Sequence, residues 1–212
     1  MDFKLTPEVD KTRQAIRRFV ADTLLPLEAD PASYDDHENI RLDLLDGLRA
    51  KAKSEGLWAL SMPTARGGRG FDTVGMAACY EEMNRSIFGP VVFNAAAPDD
   101  GNMFVLNKVA TDAQKEQWLQ PIIDGTVRSS IIMTEPAPGA GSDPSGMMRT
   151  RAEKKGDKWV VHGRKWFITG AGVASHFILL ARTSDDERRN LTAFLFHKDQ
   201  PGWEIVRRIP IM

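Results

Sequence analysis

The chain has 212 residues, of which 42% are hydrophobic, enough for one large domain or two small ones with packed cores. Its net charge of −1 argues against nucleic-acid binding, which needs a basic surface, and no apolar run approaches the length of a membrane span. The single cysteine, Cys79, excludes an intrachain disulfide and a thiolate metal cluster, and its apolar helical surroundings predict a core position. The charged N-terminus has no apolar signal region, and the use of a single cysteine fits a reducing cytoplasm or organelle matrix.

Residues 1–125 have the apolar spacing of amphipathic helices. Thr6 followed by Pro7 predicts the start of the first helix, and Pro26 predicts its end. The second helix spans the leucines of residues 42–52 and is expected to terminate near Gly56. Further helices are predicted to begin at Asp72, to cover residues 99–110, and to run from a capping box of Thr111 and Gln114 to Pro121.

The pattern changes after residue 125 to short alternating segments separated by turn residues. Strands are predicted at residues 129–134, 149–154, 158–161, 166–169, 177–183, 191–196 and 203–208. An all-helical block followed by an all-strand block predicts an α+β protein with two domains, at residues 1–125 and 126–212.

A glycine-rich loop, residues 139–143, lies between two of the predicted strands. A dinucleotide fingerprint would need a helix directly after the loop, so we reject that interpretation. Two alternatives remain open. The loop is either a hairpin connection of small residues or an anion site, in which backbone N–H groups and the Ser142 hydroxyl would hold a phosphate.

Two threonines, Thr134 and Thr169, each end a predicted strand, where solvent-facing hydroxyls are common. Because side chains alternate along a strand, Phe167 and Thr169 would share one face of the predicted segment at residues 166–169. That face would combine an aromatic edge with a hydroxyl donor and would suit a flavin ring, although tryptophan and phenylalanine are more often core residues.

The remaining chemical groups point to no other site. The histidines show no metal-ligand spacing, and no nucleophile elbow is present. Glu81 and Glu82 are expected to form a solvated patch of helix. From the residues alone, the chain is expected to be a soluble two-domain α+β protein. An anion and ring site is one open hypothesis, and the chemistry stays undetermined.

Several ordered motifs resemble the middle-domain signature of the acyl-CoA dehydrogenase family, and they are residues 133–136, 141–143, 156–157, 161–165 and 168–169. Residues 97–103 and 114–119 resemble the end of that family's helical domain. The combination of residues 98–103 with Lys165 and Trp166 is most similar to the branch called family members ten and eleven and its bacterial relatives. The resemblance implies a helical domain, a β-barrel-like middle domain and a C-terminal four-helix domain that is absent from this chain.

The resemblance also implies FAD as the cofactor, bound between the middle and C-terminal domains with a contribution from a neighbouring subunit. The residues that it assigns to the flavin site are Ile131, Met133 and Thr134 lining the flavin, Gly141 and Ser142 near the pyrophosphate, Phe167 on the ring and Thr169 at N5. Ser142 would also contact the acyl-CoA substrate. Three departures from the family pattern are the extra residues Ala137 and Pro138, Phe167 in place of tryptophan, and Gly170 in place of asparagine.

The implied activity is flavin-dependent α,β-dehydrogenation of an acyl-CoA thioester in fatty acid metabolism, with an electron-transfer flavoprotein as electron acceptor and a homotetramer as the assembly. The family's catalytic glutamate belongs to the C-terminal domain and is expected beyond Met212, so no catalytic residue is assigned here. The isolated chain is therefore expected to bind FAD weakly and to have little activity. Two alternatives are a non-catalytic interaction subunit and a fragment of a same-fold acyl-CoA oxidase.

Overall fold

The computed structural model describes residues 3–144, 148–186 and 189–210. The chain divides into two compact units, Met1–Phe104 and Val105–Met212. Within the described ranges, no helix is both long enough and apolar enough to span a membrane. Helices make up the first unit, and a sheet dominates the second, as expected for the predicted α+β class.

The first unit is built from short helices joined by tight turns. Its α-helices are α1 (Pro7–Phe19), α2 (Leu25–Glu28), α3 (Leu42–Ser54), α4 (Thr73–Met83), α5 (Gly89–Val92) and α6 (Asp99–Val109), of which α6 continues into the second unit. Single 3₁₀ turns cover Pro31–Ser33 and Thr64–Arg66. Two predicted starts are confirmed by capping bonds, because Thr6 Oγ1 accepts from Val9 N at 3.3 Å and Asp72 Oδ1 accepts from Gly75 N at 2.8 Å.

The second unit begins with α7 (Asp112–Gln114) and α8 (Gln120–Asp124), and the predicted capping box of Thr111 and Gln114 is present. The strands of its described part are β1 (Ser129–Ile132), β2 (Arg151–Lys155), β3 (Lys158–His162), β4 (His176–Arg182) and β5 (Leu191–His197). Each agrees with a predicted segment to within a few residues.

The predicted helix ends at Pro26 and Pro121 are wrong for a shared reason. Each proline lies inside a helix, α2 or α8, that follows a π-helical turn, at Val20–Leu24 and Lys115–Leu119. In each case the residue before the proline donates its N–H to a carbonyl five residues back instead of four. Widening the turn moves backbone carbonyls away from the proline ring, so the chain continues as a helix past a residue that usually ends one.

The sheet of the second unit is organised around β4. Strand β5 pairs with β4 in antiparallel register from His176↔His197 to Arg182↔Leu191. The other edge of β4 pairs in parallel first with β1 and then with β2, at Arg151↔Arg182, while β3 pairs with β2. The chain therefore leaves this edge after β1 and returns to it at β2, a few residues further along β4. We call the segment at residues 133–150 the excursion, of which residues 133–144 and 148–150 are described.

The expected barrel is not formed in the described part of the chain, because β1 and β3 end the sheet order β1-β4-β2-β3 without pairing with each other. The predicted strands at residues 166–169 and 203–208 are also wrong, since both segments lack a strand ladder. Phe167 has φ +51°, a left-handed conformation that breaks strand alternation. Strand alternation therefore does not place Phe167 and Thr169 on one face, and this prediction is wrong.

A hydrophobic cluster of the second unit packs against β1 and β4. Ile132, Ala174 and Phe177 form its buried centre. Phe177 stacks on Phe196 with ring centroids 5.0 Å apart, and Trp203 lies 4.9 Å from Phe177. The residue pattern at 203–208 thus reflects packing of one aromatic side chain, not a strand.

The first unit contains a buried carboxylate that corrects the expectation of a solvated patch. Glu82 on α4 is only 2% exposed and accepts hydrogen bonds from Arg13 at 3.1 Å and from Arg17 Nε at 2.9 Å. The hydrogen bonds from Arg17, aided by Arg13 and opposed by burial, hold the pKa of Glu82 below its ordinary value. Cys79 is confirmed as a core residue, and burial raises its pKa to about 11.

Candidate functional site

The residues predicted to bind the flavin all lie in the second unit, on three segments around the edge of β4. Ile131, Met133 and Thr134 lie in β1 or directly after it, Gly141 and Ser142 lie in the excursion at residues 133–150, and Phe167 and Thr169 lie in the connection between β3 and β4. Sequence separation between the first and last of these segments exceeds thirty residues, so only the fold brings them together.

The structure joins the β1 end to the connection after β3 by hydrogen bonds. Trp166 N donates to Thr134 O at 3.2 Å, and the Thr134 hydroxyl donates to the Trp166 carbonyl. Ser130 Oγ donates to the Thr169 carbonyl. The two stretches that carry the predicted threonines therefore run side by side without forming a sheet ladder.

This arrangement determines what Thr134 can offer a ligand. A hydroxyl has one proton, and in Thr134 that proton is donated to the Trp166 carbonyl. Toward a ligand the side chain then presents acceptor lone pairs, while the backbone N–H is a donor. Thr134 is half-buried and Thr169 is exposed.

An aromatic pair stands out beside this junction. Trp166 and Phe167 are 38% and 54% exposed, and their ring centroids lie 4.8 Å apart. Positive φ in a bulky residue such as Phe167 is uncommon and is concentrated at functional positions. The next residue, Ile168, packs against the core around Ile132. The connection thus buries one side chain and leaves two flat rings at the surface.

The glycine-rich loop is hydrogen-bonded to Glu135, the residue after Thr134. Glu135 N donates to Gly141 O at 3.0 Å, and Asp143 N closes a turn onto Ala140 O at 3.1 Å. Gly141 has φ +61°, a conformation that glycine adopts without strain. Ser142 is exposed at the tip of this turn. The loop is not a hairpin, because β1 and β2 lie along the same edge of β4 and do not pair with each other.

Glu135 is a site residue that sequence reasoning missed. Its side chain is 2% exposed and accepts from the backbone N–H groups of Thr150 at 2.8 Å, Arg149 at 2.7 Å and Ala140 at 3.4 Å. Burial would raise the pKa of Glu135, but these amides and Lys165 outweigh it and hold the pKa at about 2. One buried carboxylate therefore ties the beginning of the excursion to its end.

Lys165 completes this cluster and was also missed. Its Nζ lies 3.1 Å from Glu135 Oε1 and donates to Met133 O at 2.8 Å. Its side chain is 7% exposed. Burial lowers the pKa of Lys165, and Glu135 opposes that shift. Both residues belong to the sequence motifs of the resemblance, but no local pattern brings residues thirty positions apart into contact.

The described residues contain no group of three or more histidine, cysteine, aspartate or glutamate side chains suited to a metal ion. The polar groups of the site are instead backbone amides and carbonyls, threonine hydroxyls and one buried ion pair. Such a set suits an uncharged heterocycle with hydrogen-bonding edges more than a cation.

Comparison with known proteins identifies the family. Residues 6–126 match the acyl-CoA dehydrogenase N-terminal domain, and residues 130–211 match the acyl-CoA dehydrogenase middle domain. The chain therefore belongs to the acyl-CoA dehydrogenase family.

Its relatives agree with the predicted branch. Acyl-CoA dehydrogenase family member 11 of Rattus norvegicus is 31% identical over 92% of this chain and 26% of its own length. The probable acyl-CoA dehydrogenase FadE2 of Mycobacterium tuberculosis is 31% identical over 100% of this chain and 53% of its own length. A solved putative acyl-CoA dehydrogenase from Mycobacterium abscessus superposes with a TM-score of 0.85 at 33% identity, over 98% of this chain and 54% of the other. The chain thus spans between a quarter and about half of the length of these relatives.

Proposed function

We propose that this chain provides the flavin-binding and acyl-CoA-binding half of an FAD-dependent acyl-CoA dehydrogenase, which introduces a double bond between Cα and Cβ of an acyl thioester. The observation that carries the proposal is the hydrogen-bonded junction of Thr134 with Trp166, which holds exposed aromatic rings beside the end of a buried strand. Family membership supports the reaction class.

The donor set fits an isoalloxazine ring. In the proposed site, Phe167 packs on the ring face, Thr134 meets the pyrimidine edge, and Thr169 reaches N5. Ile131 and Met133 are half-buried and would provide an apolar wall that excludes water. When bound, FAD would supply the hydride acceptor, so the work of these residues is orientation and electrostatics.

The phosphate end of the cofactor would be held by the turn that carries Gly141 and Ser142. The exposed Ser142 hydroxyl is a donor that suits a pyrophosphate or the acyl-CoA. We assign no catalytic base in this chain. Glu82 and Glu135 are both buried and paired with cations, and the pKa of each lies below its ordinary value, so each carboxylate is a weak proton acceptor.

The partners proposed for the whole protein follow from the family resemblance. They are an acyl-CoA thioester as substrate, an electron-transfer flavoprotein as electron acceptor and further copies of the same subunit in a homotetramer. The proposed pathway is fatty acid metabolism, and the proposed location is the cytoplasm or an organelle matrix.

Titration of the purified chain with FAD tests the cofactor assignment. Wild-type protein should quench flavin fluorescence in a saturable way. Thr134→Val and Phe167→Ala should each weaken binding roughly fivefold or more. Thr134→Val removes the hydroxyl that bonds the Trp166 carbonyl and holds the junction, and Phe167→Ala removes an aromatic contact with the ring, each of about 1 kcal/mol. The control is Val173→Ala, an exposed position in the same connection, which should bind FAD as the wild type does. Folded wild-type protein of the correct mass that takes up no FAD would contradict the proposal.

A further inference from the structure

The second unit contains a buried cation at Lys165. The Lys165 ammonium is removed from water, with its side chain 7% exposed, and is surrounded by the Glu135 carboxylate and the Met133 carbonyl. A buried ion pair is a poor source of stability, since an apolar pair of similar volume often serves the fold as well or better. Its position therefore calls for a reason other than stability.

The cluster connects the segments that form the proposed flavin site. Lys165 belongs to the connection that carries Phe167, and its ammonium donates to the carbonyl of the residue before Thr134. Glu135 fixes that ammonium and also binds the amides of Arg149 and Thr150, where the excursion returns to β4. A shift of Lys165 would thus move the strand end and the aromatic rings relative to each other.

The same contact changes the chemistry of Thr134. Met133 C=O and Thr134 N–H belong to one peptide group, so a cation on the oxygen draws electron density from the nitrogen and strengthens the N–H as a donor. The hydroxyl proton of Thr134 is donated to Trp166. The backbone N–H is then the donor through which Thr134 would act on a ligand.

We propose that Lys165, held by Glu135, is a positioning residue for the flavin. It orients and polarises the Met133–Thr134 peptide so that Thr134 N–H binds the pyrimidine edge of the ring and stabilises negative charge there on reduction. This inference rests on the proposed function and adds the second layer of residues behind the ring. Groups that contact a ligand are often only as effective as the groups that orient them.

The test compares variants of the full chain. Lys165→Met and Lys165→Gln remove the charge, Lys165→Arg retains it, and Glu82→Gln is the matched control in the other unit. Three quantities are measured: the FAD dissociation constant, the midpoint potential of bound flavin, and hydrogen exchange of peptides that cover residues 130–144 and 163–170. Lys165→Gln remains informative if Lys165→Met does not fold, because it keeps a donor of similar length.

We expect both uncharged variants to weaken FAD binding about tenfold, the effect of one lost charge-assisted hydrogen bond, and to make the bound flavin harder to reduce. Exchange should rise in the two peptides and not in β5. Lys165→Arg should recover most of the affinity and potential, and Glu82→Gln should change neither. A general loss of stability would weaken binding but would leave the potential of the bound flavin unchanged.

Two outcomes separate the inference from the function on which it rests. Wild-type protein that binds FAD, with unchanged affinity and potential in Lys165→Gln, would overturn the inference and leave the proposed function standing. Wild-type protein that binds no FAD would overturn the proposed function and, with it, the role of Lys165 toward flavin. In that case local exchange still decides whether Lys165 orders these segments.

Discussion

The Glu135 side chain connects several segments of the second unit. It joins the two ends of the excursion, receives the Lys165 ammonium and lies next to the turn at Gly141. The depressed pKa of Glu135 is the electrostatic consequence of these contacts. The role of Glu135 could not be predicted from the sequence, since nothing in a glutamate between a threonine and a proline indicates that it is buried.

The pKa of Glu135 predicts an acid-sensitive second unit. Because the folded-state pKa of about 2 lies below the ordinary 4.5, ionised Glu135 stabilises the fold at pH values above 4.5, and this contribution is lost as the pH falls toward 2. Relative to the same carboxyl in its protonated form, ionisation contributes roughly 3 kcal/mol. Urea unfolding of the wild type and of Glu135→Gln from pH 6 to pH 2.5 should show a steeper acid loss in the wild type. Parallel curves would contradict the assignment.

Helix α1 is joined to α4 by an ion pair whose partners differ in exposure. Glu82 is 2% exposed, while the side chains of Arg13 and Arg17 are 23% and 53% exposed. Removing the carboxylate leaves arginines that reach water. Removing both arginines leaves a buried charge whose remaining cationic partner is Arg85, at 3.5 Å. The two changes should therefore have unequal costs.

The expected cost of Glu82→Gln is about 1 kcal/mol of the free energy of unfolding, and that of the double variant Arg13→Met/Arg17→Met is about 3 kcal/mol or more. Denaturant unfolding at pH 7 measures both. The difference should shrink at low pH, as Glu82, whose pKa is lowered by the arginines, becomes protonated. Equal costs at pH 7 would contradict this description of the helix pair.

Gly163, directly after β3, lies very close to Thr150, directly before β2. A Cβ atom added at Gly163 would lie 2.2 Å from Thr150 Oγ1 and 2.6 Å from Thr150 Cβ, so neighbouring backbone would have to move. Because of this clash, Gly163→Ala should destabilise the protein by about 2 kcal/mol. It should also reduce FAD binding, because Thr150 N donates to Glu135, which supports the proposed flavin site.

Gly172→Ala is the control for this substitution, since an added Cβ there meets nothing within 4 Å. Thermal unfolding should leave that variant within about 0.5 kcal/mol of the wild type. Equal stability of Gly163→Ala and Gly172→Ala would show that the approach of Gly163 to Thr150 is not required.

Helix and strand positions were largely predictable because they follow from local periodicity and capping. The caps at Thr6, Asp72 and Thr111 are examples, and each is present. The helix ends at Pro26 and Pro121 were not predictable from local rules, because a π-helical turn before each proline removes the clash that the rule assumes.

For the whole molecule, the order of a helical block and a strand block was predictable, but the sheet topology was not. Strands β1 and β2 each pair in parallel with the same edge of β4, and the paired residues are far apart in sequence. The candidate site was likewise predictable only in part. Thr134, Phe167 and Thr169 were identified through family motifs, whereas their junction through Trp166 and the support from Lys165 depend on tertiary contacts.

A crystal structure of this chain with FAD tests the central claim most directly. We expect the isoalloxazine ring to lie against Phe167, with Thr134 N within hydrogen-bonding distance of its pyrimidine edge and the pyrophosphate at the turn of Gly141 and Ser142. FAD bound at another surface, with Thr134 and Phe167 untouched, would contradict it.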